Sequence, residues 1–252
     1  FSGLHAIMKP ILIIQTGDIS LESPLYYEKR GGYYEIFTRT GCLEGLPVEL
    51  VNVPVGAQLP SYTKISAAII TGSAALISQK LKWSETCAEW IRNTLPTGLP
   101  ILGICYGHQL IAHALGGTIE KNPYGPEYGS IKIKLLPEAM RDPLFKEAPV
   151  SFHLQSAHLE SVTKLPVGAT LLAQNERGGT EAVRYTKTCW GIQFHPEFDI
   201  EDMRLFISDP DEGLKSLGIN IDRLVEQLRP TPFGPVLLNK FTKLVAEDGI
   251  TF

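Results

Sequence analysis

The run GICYGHQ at residues 103–109 constrains this chain more than any other stretch. It sets Cys105 between Gly103 and Gly107, directly after the apolar Leu99-Pro100-Ile101-Leu102 and directly before the helix-like stretch from His108 to Leu115. A strand, a sharp turn carrying one nucleophilic side chain, then a helix is the nucleophile-elbow arrangement, here with sulfur in place of a serine oxygen. The glycines have a steric role: the helix must start close against the strand, where side chains two positions either side of the turn would collide. The turn also aims the sulfur at the first-turn amides and the positive end of the helix, which favours thiolate over thiol. A buried structural Cys in a Gly-rich turn is the alternative reading.

Residues 189–198 form a second motif, CWGIQFHPEF. Alternation over this stretch predicts a strand with Trp190, Ile192 and Phe194 on one face and Gln193 and His195 on the other. His195 and Glu197 stand two apart, so in an extended segment both side chains point the same way. Pro196 keeps His195 out of the helical region and stiffens the pair. A carboxylate beside an imidazole sets its tautomer and raises its basicity, as the proton acceptor of a thiol requires. An ordinary strand-ending turn is the competing account of the motif by itself.

The pattern G-x-C-x-G-x-Q, followed some ninety residues later by H-P-E, resembles the triad-type (class I) glutamine amidotransferases, across roughly residues 9 to 208. Within that family the chain looks most similar to stand-alone domains of the kind that form the glutaminase half of GMP synthetase. The resemblance implies a flavodoxin-like open α/β sheet and Cys105, His195 and Glu197 as the catalytic residues. It implies release of ammonia from the glutamine side chain through a cysteinyl glutamyl thioester, with no metal and no organic cofactor.

Such a reaction passes through a tetrahedral oxyanion that needs preorganised donors. One is expected to be the backbone amide of Tyr106, the residue after the nucleophile. The resemblance puts the other in Thr71-Gly72-Ser73-Ala74, where Ser73 and Ala74 replace the Gly and Pro of the family's usual Gly-Gly-Pro. A serine there is strained if the position demands φ > 0. Gly72 borders the substrate in the same reading. By resemblance, Gln109 helps hold the substrate, and Ser156 and His158 form a Ser-x-His-like stretch beside the glutamine pocket. Their alternatives are a first-turn helix residue and a surface turn. His113 is expected to pack or face solvent, and Cys42, Cys87 and Cys189 to be small core residues.

The remainder of the chain reads as alternating strand and helix. Strands are expected at residues 10–15, 48–53, 67–71 and 101–104, and helices at 33–42 and 83–91, with a polar loop from Asp18 to Gly32. That alternation indicates an α/β fold with a doubly wound, mainly parallel sheet, helices on both faces and the site at the carboxyl edge of the strands. From Gly129 short β-rich pieces are expected to extend the sheet with antiparallel strands, and from Glu201 the pattern is helical. Residues 1–8 are read as a few residues foreign to the protein followed by an initiator Met8, 9–208 as the amidotransferase domain, and 209–252 as a helical extension packed on it.

With 252 residues and 44% hydrophobic content the chain can bury a substantial core. A net charge of −4 argues against non-specific binding to nucleic acid or anionic membranes. Four cysteines without regular spacing fit a reducing, cytoplasmic setting better than a disulfide framework or a zinc site. No apolar run approaches the length of a membrane span. Two other readings stay open: a γ-glutamyl peptide hydrolase using the same triad, and a non-catalytic regulatory module with a vestigial site. The expected partners are glutamine or a γ-glutamyl compound, with a separate synthetase or acceptor-binding subunit possible. The ammonia acceptor and the oligomeric state are not encoded in any motif.

Overall fold

In the computed structural model, residues 8–208 and 217–246 are described. The residues read as foreign (1–7) and parts of the expected extension (209–216 and 247–252) lie outside the described residues.

Strand β1 (Ile11–Gln15) is apolar on both faces and lies in the middle of parallel partners, β2 (Val48–Asn52) on one side and β3 (Ala67–Ile70) on the other. β4 (Ile101–Ile104) follows β3 in parallel. Alternate residues of β1 feed two cores. Ile11 and Ile13 join the layer containing Ile36, Phe37, Trp190 and Phe241. Leu12 and Ile14 join the layer containing Cys87, Ile91, Leu110 and Ile111. The first layer is closed by α3 (Tyr33–Arg39) and the second by α4 (Lys82–Thr94) and α5 (Tyr106–Ala114). This is the expected two-sided α/β architecture.

The second half adds β5 (Thr118–Lys121), β6 (Glu127–Leu135), β7 (Ser151–His158), β8 (Glu160–Lys164), β9 (Thr170–Asn175), β10 (Thr180–Thr186) and β11 (Cys189–Ile192). The main sheet has nine strands in the order β2-β1-β3-β4-β11-β10-β9-β6-β7. β10, β9, β6 and β7 form the antiparallel extension. β11 departs from that pattern: it enters next to β4 and runs parallel to it, pairing Gly191 with Gly103 and Ile192 with Ile104. β5 and β8 form a separate antiparallel ribbon that the sequence pattern does not announce.

The stretch expected as a polar loop is instead helical, as α1 (Ile19–Glu22) and α2 (Pro24–Arg30). Asp18 caps α1 by accepting from the Ser20 amide, and Pro24 occupies the first turn of α2, so both helices carry ordinary start signals despite their brevity. Tertiary contacts secure them. Tyr26 Oη, Arg30 Nε and Arg39 Nη2 all donate to Asp202 Oδ1, at 2.6, 2.8 and 2.9 Å. Asp202 lies on α6 (Ile200–Ser208), so this buried carboxylate ties α2 and α3 to the helix that follows the His-Pro-Glu segment.

Beyond residue 216 the chain forms α7 (Ile221–Glu226) and α8 (Phe233–Ala246). Leu237, Leu238 and Phe241 of α8 are fully buried, and Phe241 meets Trp190 edge-on. The start of α8 abuts the site segment: a Cβ on Gly234 would run into the carbonyl of Pro196. Among the described residues no helix is long and apolar enough to cross a membrane.

Candidate active site

The register of β11 against β4 builds the site. Both strands end at one edge, and the Cys105 amide donates to the Ile192 carbonyl at 2.8 Å. Three residues past β11, the backbone of His195 bridges to β7, its amide donating to Gln155 O at 2.8 Å. Cys105 itself has φ 50° and ψ −103°, a conformation that L-residues rarely adopt and that costs of order 1–3 kcal/mol. The approach of α5 to the sheet explains its flanking glycines. A Cβ on Gly103 would lie 2.5 Å from the Gly107 carbonyl oxygen, and one on Gly107 would collide with the carbonyl of Ile70.

His195 and Glu197 meet as expected from their spacing, with Nδ1 2.8 Å from Oε1 and both side chains buried. The imidazole lies flat on Phe198, with centroids 4.6 Å apart and 12° between planes. Burial acts to lower the His195 pKa, but the Glu197 carboxylate and the Cys105 sulfur outweigh it and push it up to about 10. These contributions favour the imidazolium form of His195. Burial pushes the other thiols the opposite way from what a nucleophile needs, Cys42 up to about 11 and Cys87 up to about 12, with Cys189 also raised. These three are core residues.

Gly72 packs against the pair. A Cβ there would stand 2.8 Å from His195 Cε1 and 3.6 Å from Cys105 Cβ. Its carbonyl accepts from three hydroxyls, Tyr33 Oη at 2.8 Å, Thr16 Oγ1 at 2.9 Å and Thr71 Oγ1 at 3.0 Å. Because the peptide is trans, the Ser73 N–H points away from those hydroxyls. Ser73 is not in the left-handed region, so serine in place of the family's glycine carries no backbone strain. Tyr106 opens α5, where first-turn amides have no intrahelical acceptor, and its phenol is buried against Ser84 Oγ at 2.6 Å.

Two adjoining cavities of about 300 and 50 Å³ meet at Cys105. Gln109 and His158 border the larger one, where Gln109 Nε2 and both ring nitrogens of His158 are already engaged. Gln109 Nε2 donates to Glu160 O at 2.6 Å and to Gln193 Oε1 at 3.1 Å. His158 has Nδ1 2.9 Å from Glu160 O and Nε2 3.1 Å from Glu127 Oε2. Ser156 is fully buried, lines neither cavity, and its Oγ has no partner. The structure thus gathers Cys105, His195, Glu197, Gly72, Ser73 and Tyr106 at one point. It sets Gln109 and His158 in the wall and leaves Ser156 behind it. His113 pairs with Glu85 at 3.0 Å on the partly exposed side of α5.

Gln193 is the residue that sequence reasoning passed over. Its Nε2 lies 3.6 Å from Cys105 Sγ, so it donates to the sulfur while Gln109 donates to its Oε1. Its shared face with His195 was the available signal. Glu127, His158 and Glu181 are the described residues whose ligand-type atoms cluster within 4.8 Å, as a metal site would require. Asn175 Nδ2 bridges the two carboxylates at 2.9 Å each, which makes the cluster part of a hydrogen-bond network joining β6, β7, β9 and β10.

Comparison with known proteins agrees with this geometry. The family model for class-I glutamine amidotransferases matches residues 31–207. The chain is 41% identical over 169 residues to a single subunit of the glutamine-hydrolyzing GMP synthase of Methanococcus vannielii, covering 66% of this chain and 83% of that one. It is 32% identical over 219 residues to the GMP synthase of Thermosipho africanus, covering 86% of this chain but only 40% of that longer protein. It is also 29% identical over 196 residues to γ-glutamyl peptidase 4 of Arabidopsis thaliana, covering 76% of each. Among solved structures, a glutamine amidotransferase from Thermotoga maritima shares the fold, with TM-score 0.71, 20% identity, and 96% and 99% of the two chains covered. With the elbow, the His-Pro-Glu pair and a family match that spans most of its length, the chain belongs to the class-I glutamine amidotransferases.

Proposed function

We propose that the chain hydrolyses the side-chain amide of glutamine, releasing ammonia through a thioester on Cys105. The observation that carries this reading is the convergence of a strained Cys105 at the head of α5 with a His195 held by Glu197 at 2.8 Å. The Cys105 thiolate attacks the amide carbonyl carbon, and the amides of Tyr106 and Ser73 stabilise the oxyanion. Imidazolium at His195 gives its proton to the departing nitrogen, so ammonia leaves rather than an amide anion. Neutral His195 then takes a proton from water, the hydroxide opens the thioester, and collapse returns glutamate, thiolate and imidazolium. Glu197 orients the ring and stabilises its charge without being consumed. Gln193 donates to the sulfur when it carries charge.

Relatives that are single subunits of a GMP synthase support a division of labour in which the ammonia passes to a separate synthetase chain. The γ-glutamyl peptidase relative favours a second substrate class, γ-glutamyl peptides cleaved by the same triad. Steady-state release of ammonia from glutamine, run beside amine release from γ-glutamyl dipeptides, separates the two. Cys105→Ser is the control and is expected to lower either activity by several orders of magnitude. Turnover unchanged in Cys105→Ser refutes the mechanism. Faster turnover of dipeptides than of glutamine moves the substrate assignment to the second class.

A further inference from the structure

The buried cluster of Glu127, His158 and Glu181 lies outside the triad and takes no part in the steps proposed above. Glu127 on β6 and His158 at the end of β7 are direct cross-strand partners, and Glu181 comes from β10. Each side chain is held at one end by a partner that leaves its other end to the cluster. His158 Nδ1 lies 2.9 Å from the Glu160 carbonyl, which can only accept, so Nδ1 carries the proton and Nε2 turns toward Glu127. Asn175 Nδ2 donates to Oε1 of both carboxylates at 2.9 Å. The amide cannot be turned round, because its oxygen accepts from the Arg177 and Gly179 backbone at 3.0 and 2.8 Å. His158 Nε2, Glu127 Oε2 and Glu181 Oε2 remain.

Glu181 is the telling member. It is 1% exposed, and its Oε2 has no hydrogen-bond partner among the described residues. Burial and the neighbouring Glu127 carboxylate hold its carboxyl well above the usual range, against the Asn175 hydrogen bond. Two buried carboxylates this close call for a compensating positive charge. A divalent ion supplies it, and the donor set selects the kind. Imidazole with carboxylate suits Zn²⁺, whereas Ca²⁺ and Mg²⁺ prefer oxygen alone. Outer partners that fix the ring and the carboxylates, here the Glu160 carbonyl and Asn175, are what metal sites carry. The spacing is close to that of a tetrahedral ion, whose ligand atoms stand roughly 3.3–3.6 Å apart for bonds of about 2.0–2.2 Å. His158 Nε2 and Glu127 Oε2 are 3.1 Å apart, and the three ligand atoms all lie within 4.8 Å of one another. Glu127 and Asn175 also line a separate cavity of about 440 Å³, whose rim includes the exposed Glu176 and Arg177, so an ion has a path in from solvent.

We propose that Glu127, His158 and Glu181 bind one divalent ion of the Zn²⁺ class, with water at the fourth position. The ion fastens β6, β7 and β10 together behind the wall of the larger cavity. Its role is structural and stands apart from amide hydrolysis at Cys105.

The test is calorimetric titration with Zn²⁺ after dialysis against EDTA, in the Cys105→Ser chain so that the elbow thiol cannot take the ion. One equivalent is expected to bind. Titration in two buffers of different ionisation enthalpy should show release of at least one proton, since the ion displaces the proton on Glu181. X-ray absorption at the zinc edge is expected to show one imidazole and oxygen ligands at about 2.0–2.2 Å, without sulfur. Zn²⁺ at a hundredfold excess over Kd should raise Tm by about 5 °C or more. Glu181→Gln keeps the side-chain size and an oxygen for Asn175, and should weaken binding tenfold or more while melting in EDTA stays within a few degrees of the parent. His158→Gln, the second variant, should give the same loss. Binding unchanged in both variants, or sulfur in the zinc shell, overturns the assignment. Absence of binding overturns it too, and leaves a proton shared by Glu127 and Glu181 as the neutralising charge.

Discussion

Gly72→Ala tests whether the position of His195 is set by close packing. The new Cβ would lie 2.8 Å from His195 Cε1, whereas ordinary contact begins at 3.4 Å, so the ring must retreat by about 0.6 Å. It has little room. One face is stacked on Phe198 at 4.6 Å, and Nδ1 is tied to Glu197 at 2.8 Å. Cε1 lies between the two ring nitrogens, so moving it displaces the Nε2 that faces the sulfur. A misplacement of about 1 Å at a reacting group costs on the order of a hundredfold. A shift of 0.6 Å therefore predicts a loss of roughly ten- to a hundredfold in kcat/KM, or about 1.4–2.7 kcal/mol of transition-state stabilisation. Gly72 has no left-handed backbone, so alanine adds no conformational penalty of its own. Initial rates of ammonia release report the loss, while thermal melting and labelling of Cys105 show the fold and the thiol intact. Activity within twofold of wild type would refute the packing argument. Ser73→Ala is the companion control: it keeps the main-chain amide and is expected to retain most of the activity.

An electrophilic glutamine analogue is expected to label Cys105 alone, because burial raises the pKa of Cys42, Cys87 and Cys189; mass spectrometry showing another labelled thiol contradicts the assignment. Glu197→Gln removes a contribution that raises the His195 pKa, so the alkaline limb of the kcat/KM profile moves to lower pH. The sign follows from the folded value. At about 10 it lies above the ordinary 6.5, so His195 is imidazolium at neutral pH and loses that charge only as pH rises through about 10. An unmoved limb rules out this role for Glu197. Asp202→Asn should cost about 2–3 kcal/mol in urea unfolding, since it leaves Arg30 and Arg39 without their buried anion. Burial works to raise the Asp202 pKa, but the Arg30 hydrogen bond and its other partners hold it below the usual value. The wild-type advantage is therefore present above pH 3.8 and fades as pH falls through the folded value. Equal stabilities at pH 7 would show that the link between α2, α3 and α6 contributes nothing.

Features carried by short spacing were legible in the chain itself. Gly103 and Gly107 announced the elbow because their job is local: the strand-to-helix turn leaves no volume for a Cβ. His195 and Glu197 could be paired because residues two apart in extended backbone share a side. The apolar run of β1 and the helical spacing of α4 likewise declared a two-sided sheet, since burial on each face repeats with the period of the element.

Nothing of that kind specifies which strand lies beside which. Gly191 pairs with Gly103 across 88 residues, and that register, not the motif, brings His195 to Cys105. The same holds for Gln193 on the sulfur, Tyr33 on the Gly72 carbonyl, and Asp202 binding two arginines of the first helices. Each is a contact between residues far apart in sequence whose local patterns are ordinary. Helices α1 and α2 belong with them: at 4 and 7 residues they are too short to be stable alone, and packing against α6 and the site makes them helices. Local stereochemistry therefore determined the Cys105 elbow, the His195–Glu197 pair and the layered sheet. The assembled tertiary contacts decided the pairing of strands and the lining of the cavities, because those depend on chain segments that meet only after folding.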